Sequence, residues 1–309
     1  MTEQRTVFIV NPNSSNGSTG REWPGILKRA KELLKAFEIN LTTGPEHATA
    51  LAREAARSGF DVVVCVGGDG TLNEIINGLM SFEGSAAKKV RLGYIPRGTG
   101  CDFAKSLAIP YELDRALLTI KENKTRRIDL GRLTYKDQEG KPACRYFHNV
   151  LSFGLGGEVD HRVNNTTKVF GGFVSFIWAT LISIICYSKK RIRLRIDESF
   201  DEEVITWNIA VANGQYHGGG MWVAPGASMD DGLFQVTVVG DLNKAAVFWN
   251  LPLLYNGRIY EHKKIIRLTG TRILADASEK VLLDMDGEQP GQLPVLIEMV
   301  PSAINIICS

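Results

Sequence analysis

Four clusters of small, amide or acidic residues carry the chemistry open to this chain. The densest is Gly67-Gly68-Asp69-Gly70-Thr71, between the apolar run Val62 to Val66 and the helical period Leu72, Ile75, Ile76, Leu79. Buried strand, glycine turn, then helix leaves the free N–H groups of a helix start over the glycines, a geometry that favours an anion such as phosphate. Asp69 repels a bare phosphate. It fits if a Mg²⁺ stands between them, or if the carboxylate orients a nucleophile. A plain strand–helix connection is the alternative. The turn has neither GxxxxGK[ST] nor GxGxxG spacing. Thr71 and Glu74 stand at the spacing of a capping box. The second cluster is Asn11-Pro12-Asn13-Ser14-Ser15-Asn16-Gly17, rich in short donors after a strand, or else an ordinary surface loop. The third is Ser228-Met229-Asp230-Asp231-Gly232-Leu233, where carboxylates and turn carbonyls suit a divalent cation, or a simple Asp-Gly turn. The last is Asp284-Met285-Asp286-Gly287-Glu288, a hairpin turn or the site of a carboxylate that takes a hydroxyl proton during phosphoryl transfer. His217, before three glycines, reads as structural.

The elements that must position these clusters fall into two kinds. Up to residue 128, strands alternate with helices: strands at Thr6–Val10, Ile39–Thr43, Asp61–Val66 and Arg91–Ile95, helices at Glu22–Phe37, His47–Ser58 and from Thr71. That order predicts a parallel, helix-covered sheet with its loops converging on one rim. From Arg127 onward short strands recur: Arg127–Thr134, Arg145–Phe153, Ile192–Ile196, Val204–Val211, Phe234–Val239, Ile265–Leu268, Arg272–Ala275 and Val281–Met285. Regular short strands predict a β-sandwich or open barrel. The expected division is 1–128 and 129–309.

The 309 residues suffice for two cores, and a net charge of +2 gives no nucleic-acid signal. Five cysteines, odd in number and widely separated, predict reduced thiols in a cytoplasmic protein, and the polar start of the chain shows no signal peptide. Val169–Tyr187 runs 19 residues without a charge, flanked by Lys168 and by Lys189-Lys190-Arg191. Its place inside the β region predicts a buried or membrane-touching helix rather than a span, and the basic flank suits an anionic lipid surface.

Five stretches in order, Val10–Gly17, Gly67–Leu79, Pro96–Ala104, Asn213–Phe234 and Leu283–Gln289, resemble the diacylglycerol kinase catalytic-domain family in its soluble bacterial lipid-kinase branch. Sphingosine and ceramide kinases are relatives, and NAD kinases share GGDGT. The resemblance implies a Rossmann-like α/β nucleotide-binding domain of NAD kinase/diacylglycerol kinase type. It implies a C-terminal β-sandwich for the lipid substrate, an active site in the cleft between them, and a last strand, Ile304 to Cys308, returning to the first domain. It further implies ATP contacts from Asn11, Pro12, Asn13, Ser14, Ser15, Thr42, Gly67, Gly68, Asp69, Gly70, Thr71, Leu72, Asn73 and Thr99. Asp69 would be catalytic or metal-linked and Glu288 the general base. Ser228, Asp231 and Leu233 would hold a structural Mg²⁺. The implied reaction is ATP- and Mg²⁺-dependent phosphorylation of a diacylglycerol-like or sphingoid lipid at a membrane surface, by a cytoplasmic, peripherally membrane-associated protein. NAD kinase, or a non-catalytic lipid- or nucleotide-binding regulator of the same fold, are the alternatives. Two residues depart from the pattern: Cys101 stands where the family commonly has asparagine, and the more basic Arg97 is a candidate phosphate contact. Oligomeric state stays open, a homodimer included.

Overall fold

A computed structural model describes residues 4–81, 89–165 and 180–308. The chain divides into two compact units, Met1–Ile128 with Ser302–Ser309, and Asp129–Pro301.

The first unit is built on strands β1 (Thr6–Val10), β2 (Glu38–Leu41), β3 (Val62–Gly67) and β4 (Arg91–Pro96), parallel in the order β2-β1-β3-β4. Helices α1 (Ser14–Leu33), α2 (His47–Arg57), α3 (Asp69–Met80), α4 (Asp102–Ser106) and α5 (Leu113–Glu122) follow the strands in turn. Every residue of β3 is buried, which a strand covered on both faces requires. Phe8, Val10, Val62, Val64 and Val66 meet Ile26 and Ala30 of α1 and Ala116, Leu117 and Ile120 of α5. On α3, Gly78 lets α2 approach, since a Cβ there would stand 2.3 Å from the Thr49 carbonyl oxygen. The first helix begins earlier than its apolar period predicts. Its opening is not regular, because Ser15, Asn16 and Gly17 are left-handed, with φ of 50°, 53° and 79°.

The second unit packs two sheets. Strands β5 (Thr125–Asp137), β6 (Pro142–Phe147), β8 (Lys190–Ile196), β9 (Phe200–Thr206), β15 (Arg272–Asp276) and the first part of β17 (Gly291–Ile307) make one. The other runs β14 (Ile265–Gly270), β13 (Phe234–Val239), β10 (Asn208–Ala212), β7 (Val150–Gly154), β16 (Leu283–Met285), antiparallel throughout. Leu133, Phe147, Ile192, Leu194, Ile273 and Ile297 from the first sheet share one core with Ile209, Val211, Phe234, Val236 and Val238 from the second. The unit is thus a β-sandwich. A two-stranded ribbon, β11 (Tyr216–His217) with β12 (Met221–Trp222), carries the glycine run between its strands. Helices α6 (Leu155–Asn165), α7 (residues 180–186) and α8 (Lys244–Asn250, continuing as a 3-10 turn Leu251–Leu254) cover part of the second sheet's region.

Two predicted strands are each two. Arg145–Phe153 breaks at His148-Asn149, and Val204–Val211 breaks at Trp207, whose ring is buried and donates from Nε1 to the Leu242 carbonyl at 2.9 Å. In both places a side chain with partners far along the chain outweighs the local β pattern. The apolar segment Val169–Tyr187 lies outside the described residues up to 179. Among the described residues no helix is long and apolar enough to cross a membrane. The last part of β17 belongs to the first unit and pairs parallel with β4, Asn305 opposite Arg91 and Ile306 opposite Leu92.

Candidate functional site

In the first unit, three loops leave β1, β3 and β4 at the same edge of the parallel sheet and are stitched together. Asn11 Nδ2 donates to Thr71 Oγ1 at 2.9 Å, joining the β1 loop to the start of α3. Thr19 Oγ1 donates to the Arg97 carbonyl at 3.1 Å, and the Arg97 N–H donates to the Gly67 carbonyl at 2.7 Å. The Asp102 N–H donates to Asp69 Oδ2 at 3.0 Å, so this carboxylate sits at the start of α4 as well as of α3. The glycines are there for clearance. A Cβ on Gly98 would lie 2.5 Å from the Gly68 Cα, and one on Gly67 2.8 Å from Thr71 Oγ1. The outcome is a rim of short polar groups and backbone N–H donors at the C-terminal ends of the strands, where open α/β sheets bind ligands.

The predicted residues take different positions on this rim. Asn11 to Ser15 and Gly67 to Thr71 form it, and Thr99 is exposed on the neighbouring loop. Thr42 is buried just past β2, its N–H on the Val10 carbonyl at 2.8 Å. Leu72 and Asn73 are wholly buried, and Asn73 Oδ1 accepts from Asn77 Nδ2 at 3.0 Å, so their side chains serve the interior of α3. The capping box does not form. Glu74 instead accepts from the Glu46 and Ala48 N–H groups, both at 3.0 Å, and closes the start of α2. Those free N–H groups attract the carboxylate more than its own helix start does. Arg97 is held by groups of its own surroundings. Its Nη1 donates to the Pro96 and Tyr111 carbonyls at 2.7 and 3.2 Å, and its Nε lies 3.3 Å from Glu22.

Cys101 closes the loop after β4. Its φ is 49°, in the left-handed region where asparagine is enriched, which accounts for the family's usual residue there. The thiol Sγ accepts from the Gly98 N–H at 3.1 Å and from the Tyr94 hydroxyl at 3.5 Å. Burial, then the nearby Asp69 carboxylate, push this thiol up to about 11. It therefore stays neutral and acts as a small packing and accepting group.

In the second unit the acids of the last cluster have separate surroundings. Asp286 is a buried clasp. It accepts from the N–H groups of His148, Asn149 and Val150 at 3.0, 3.1 and 2.9 Å, and lies 2.8 Å from His148 Nδ1. Burial alone would raise this carboxyl. The His148 ring and the N–H donors overcome that and hold it down at about 2. Glu288, at the turn's outer end, is partly exposed and pairs with Arg145 at 3.0 Å. Asp284 faces inward. His217 Nε2 lies 2.5 Å from its Oδ2, Ser152 Oγ donates to the same oxygen at 3.3 Å, and the Gly287 N–H donates to Oδ1 at 3.2 Å. Ser152, His217 and Asp284 form one polar corner of a cavity of about 130 Å³ whose remaining walls are mainly apolar, Leu155, Val159, Ile184, Val247, Leu251 and Ile259 among them, with Thr180, Asn208 and Thr237 also on the lining.

His148 and Asp129 were not singled out in the sequence, and His217, read there as structural, joins them as a residue with a distant polar partner. The partners of His217, His148 and Asp129 lie 67, 138 and 103 residues away, so no local spacing signals them. Asp129 anchors the third cluster, accepting from the Gly232 N–H at 2.8 Å. In that loop Ser228 Oγ donates to Asp230, and Asp231 Oδ1 accepts from the Leu233 N–H at 3.0 Å. Among the described residues no three acidic, histidine or cysteine side chains are grouped to hold a metal alone. The Asp231 carboxylate together with backbone carbonyls of Ser228 and Leu233 is an all-oxygen donor set, which fits a partly hydrated Mg²⁺.

Residues 5–133 match the diacylglycerol kinase catalytic domain, and residues 149–308 the YegS C-terminal NAD kinase beta sandwich-like domain. A diacylglycerol kinase of Bacillus subtilis (strain 168) is 28% identical over 293 residues, covering 94% of this chain and 92% of the relative. One from Staphylococcus carnosus (strain TM300) is 26% identical, covering 94% and 90%. Among solved structures, a diacylglycerol kinase from Bacillus anthracis superposes with a TM-score of 0.73 at 20% identity, covering 100% of this chain and 98% of that one. Yeast NADH kinase complexed with NADH does so at 0.56 and 12% identity, covering 100% and 84%, a likeness of fold alone. With the two domain models matched one after the other along the chain, the chain belongs to the family that joins a diacylglycerol kinase catalytic domain to a YegS-type C-terminal domain.

Proposed function

We propose that the protein is a lipid kinase that moves the γ-phosphoryl group of ATP to the hydroxyl of a diacylglycerol-like lipid. The observation that carries the reading is the apolar cavity of the sandwich, with a carboxylate-bearing turn on its wall. A water-soluble dinucleotide acceptor has no use for walls of leucine, isoleucine and valine, whereas an acyl chain does.

Phosphoryl transfer asks mainly for positioning and charge stabilisation. The start of α3 at Gly68–Thr71 turns backbone N–H groups, and the loop Asn11–Ser15 short polar side chains, towards the nucleotide phosphates, and Asp69, oriented by the Asp102 N–H, is the group there that meets a phosphate-borne cation. Mg²⁺, when bound, neutralises the phosphate oxygens. Glu288 is assigned the lipid hydroxyl's proton: the bond from the γ-phosphorus to the leaving ADP oxygen breaks, the bond to the lipid oxygen forms, and Glu288 receives the proton. Asp286 cannot share that task, since its clasp on three N–H groups keeps it buried. Asp231 with the Ser228 and Leu233 carbonyls would hold a separate, structural Mg²⁺.

The test is transfer of label from γ-labelled ATP with Mg²⁺ into mixed micelles of diacylglycerol, monoacylglycerol, sphingosine and ceramide, beside an aqueous tube with NAD. Label is expected in one lipid, and lost in Asp69→Asn and Glu288→Gln proteins that keep their fold. Full turnover in either variant sinks that residue's role, and label in NAD alone replaces the reading.

A further inference from the structure

The outer face of the second sheet keeps polar residues where helices close over it. On β7 and β16, Leu151, Phe153, Leu283 and Met285 turn into the sandwich core. The alternation of a strand therefore sends Ser152 and Asp284, direct cross-strand partners, to the opposite face. On β10, Ile209 and Val211 face the core, so Asn208 faces the other way. Such residues are ordinary on a face in water. Here residues of α6, α7 and α8 wall the space above them, and Ser152 and Asp284 are each 2% exposed. Burying a carboxylate among apolar walls is unfavourable unless donors meet it, and apolar residues would fill the same place without that cost. A mainly apolar cavity with a few convergent polar groups is the composition of a small-molecule site. Gly156, at the start of α6, holds the corner open. A Cβ there would stand 2.3 Å from Ser152 Oγ, 3.2 Å from Asp284 Oδ2 and 3.3 Å from Asn208 Oδ1.

We propose that this corner receives the hydrogen-bond-donating end, hydroxyl or ammonium, of a single apolar chain. The groups at the corner select the end. Three oxygens converge beside Gly156 and one belongs to a carboxylate, so a carboxylate or phosphate on the ligand would meet like charge where water is excluded. An ester, which only accepts, gains nothing from those oxygens. The size selects the chain. A cavity of about 150 Å³ holds one benzene-sized molecule, so the 130 Å³ here takes roughly six carbons of one chain and not two chains side by side. The inference rests on the lipid-kinase reading only where it names the acceptor. A diacylglycerol has one hydroxyl, which the transfer consumes, whereas a monoacylglycerol or a long-chain amino alcohol keeps a second donor for this corner.

The full-length protein, without nucleotide, is titrated with 1-hexanol, hexylamine and hexanoate by ligand-observed NMR. Hexanol or hexylamine is expected to bind, and hexanoate at least about tenfold more weakly. Hexanol alone assigns the corner to a hydroxyl of the monoacylglycerol kind, and hexylamine alone to the amine of a long-chain base. Asp284→Asn keeps an acceptor for the Gly287 N–H and should bring hexanoate within about threefold of the other two. Gly156→Ala, whose methyl fills the corner, should abolish binding of all three. Val247→Phe, which fills the cavity from α8, gives the same test if Gly156→Ala does not fold. Equal affinity for hexanol and hexanoate, or wild-type selectivity in Asp284→Asn, overturns the proposal. A protein that binds no probe yet labels a lipid loses this corner and keeps the kinase reading. Selective probe binding by a protein that labels no lipid does the reverse.

Discussion

Asp284, Asp286 and Glu288 lie within five residues, and each has a different physical state because of what comes from elsewhere in the chain. Asp286 makes the clearest prediction. Its carboxyl is held below its unfolded value, so the native state binds fewer protons than the unfolded state as the pH drops. Its contribution is complete above about pH 5 and is lost as the pH falls towards 2, on the order of 2 kcal/mol in all. Urea midpoints at neutral and acid pH should show the wild type losing its advantage over Asp286→Asn across that window, and parallel pH profiles would contradict the clasp. Cys101 gives a second test at this scale. Cys144 and Cys186 are exposed while Cys65, Cys101 and Cys308 are buried. Alkylation of the native protein at about pH 8 should therefore modify two thiols and spare Cys101, whose thiolate is scarce there. Modified Cys101 in a peptide map would show that the loop after β4 opens. Neither His148 nor His217 was legible from its neighbours. A histidine's role is set by its partner, and here the partners are beyond any sequence window.

Among the elements, the turn into α3 and the loop after β4 depend on one another through Gly68 and Gly98. An added methyl at Gly98 has no space against the Gly68 backbone. Gly98→Ala should cost about 1–3 kcal/mol of stability and remove the thermal stabilisation given by ATP. An unchanged denaturant midpoint would mean the two loops do not approach as closely as described. Strand, glycine turn and helix were legible here because the apolar period changes from strand to helix across the glycines. The capping of α2 by Glu74 was not, because that carboxylate reaches a helix 26 residues earlier in the chain. The same reason splits the Arg145–Phe153 run: the clasp of Asp286 takes the N–H groups of His148, Asn149 and Val150 out of a regular ladder.

At the scale of the whole molecule, β17 is the element that serves both units in turn. It passes from one to the other at Ser302, whose φ of 48° interrupts the extended backbone. Its last residues, Ile304, Ile306 and Ile307, are buried, and the end of the strand pairs with β4. Losing one buried isoleucine costs about 2–5 kcal/mol, so losing three approaches the stability of an ordinary domain. A chain ending at Pro301 should lose hydrogen-exchange protection in β1, β3 and β4 while β10 and β13 keep theirs. Retained protection in β1 to β4 would show that the first unit stands without that strand.

The sequence alone determined the class of each unit, because periodicity and turn residues report on which faces are buried, and burial is a property of neighbouring residues. It also determined where the glycine-rich loops leave the first sheet, since glycines after an apolar strand have a local steric cause. Only the tertiary structure decided which acid is a clasp, which lines a cavity and which reaches the turn's outer end. Only it showed that Arg97 Nη1 rests on the Pro96 and Tyr111 carbonyls and that Trp249 is left facing outward. Those outcomes depend on desolvation and on hydrogen-bond partners brought from distant parts of the chain, and no local pattern encodes them.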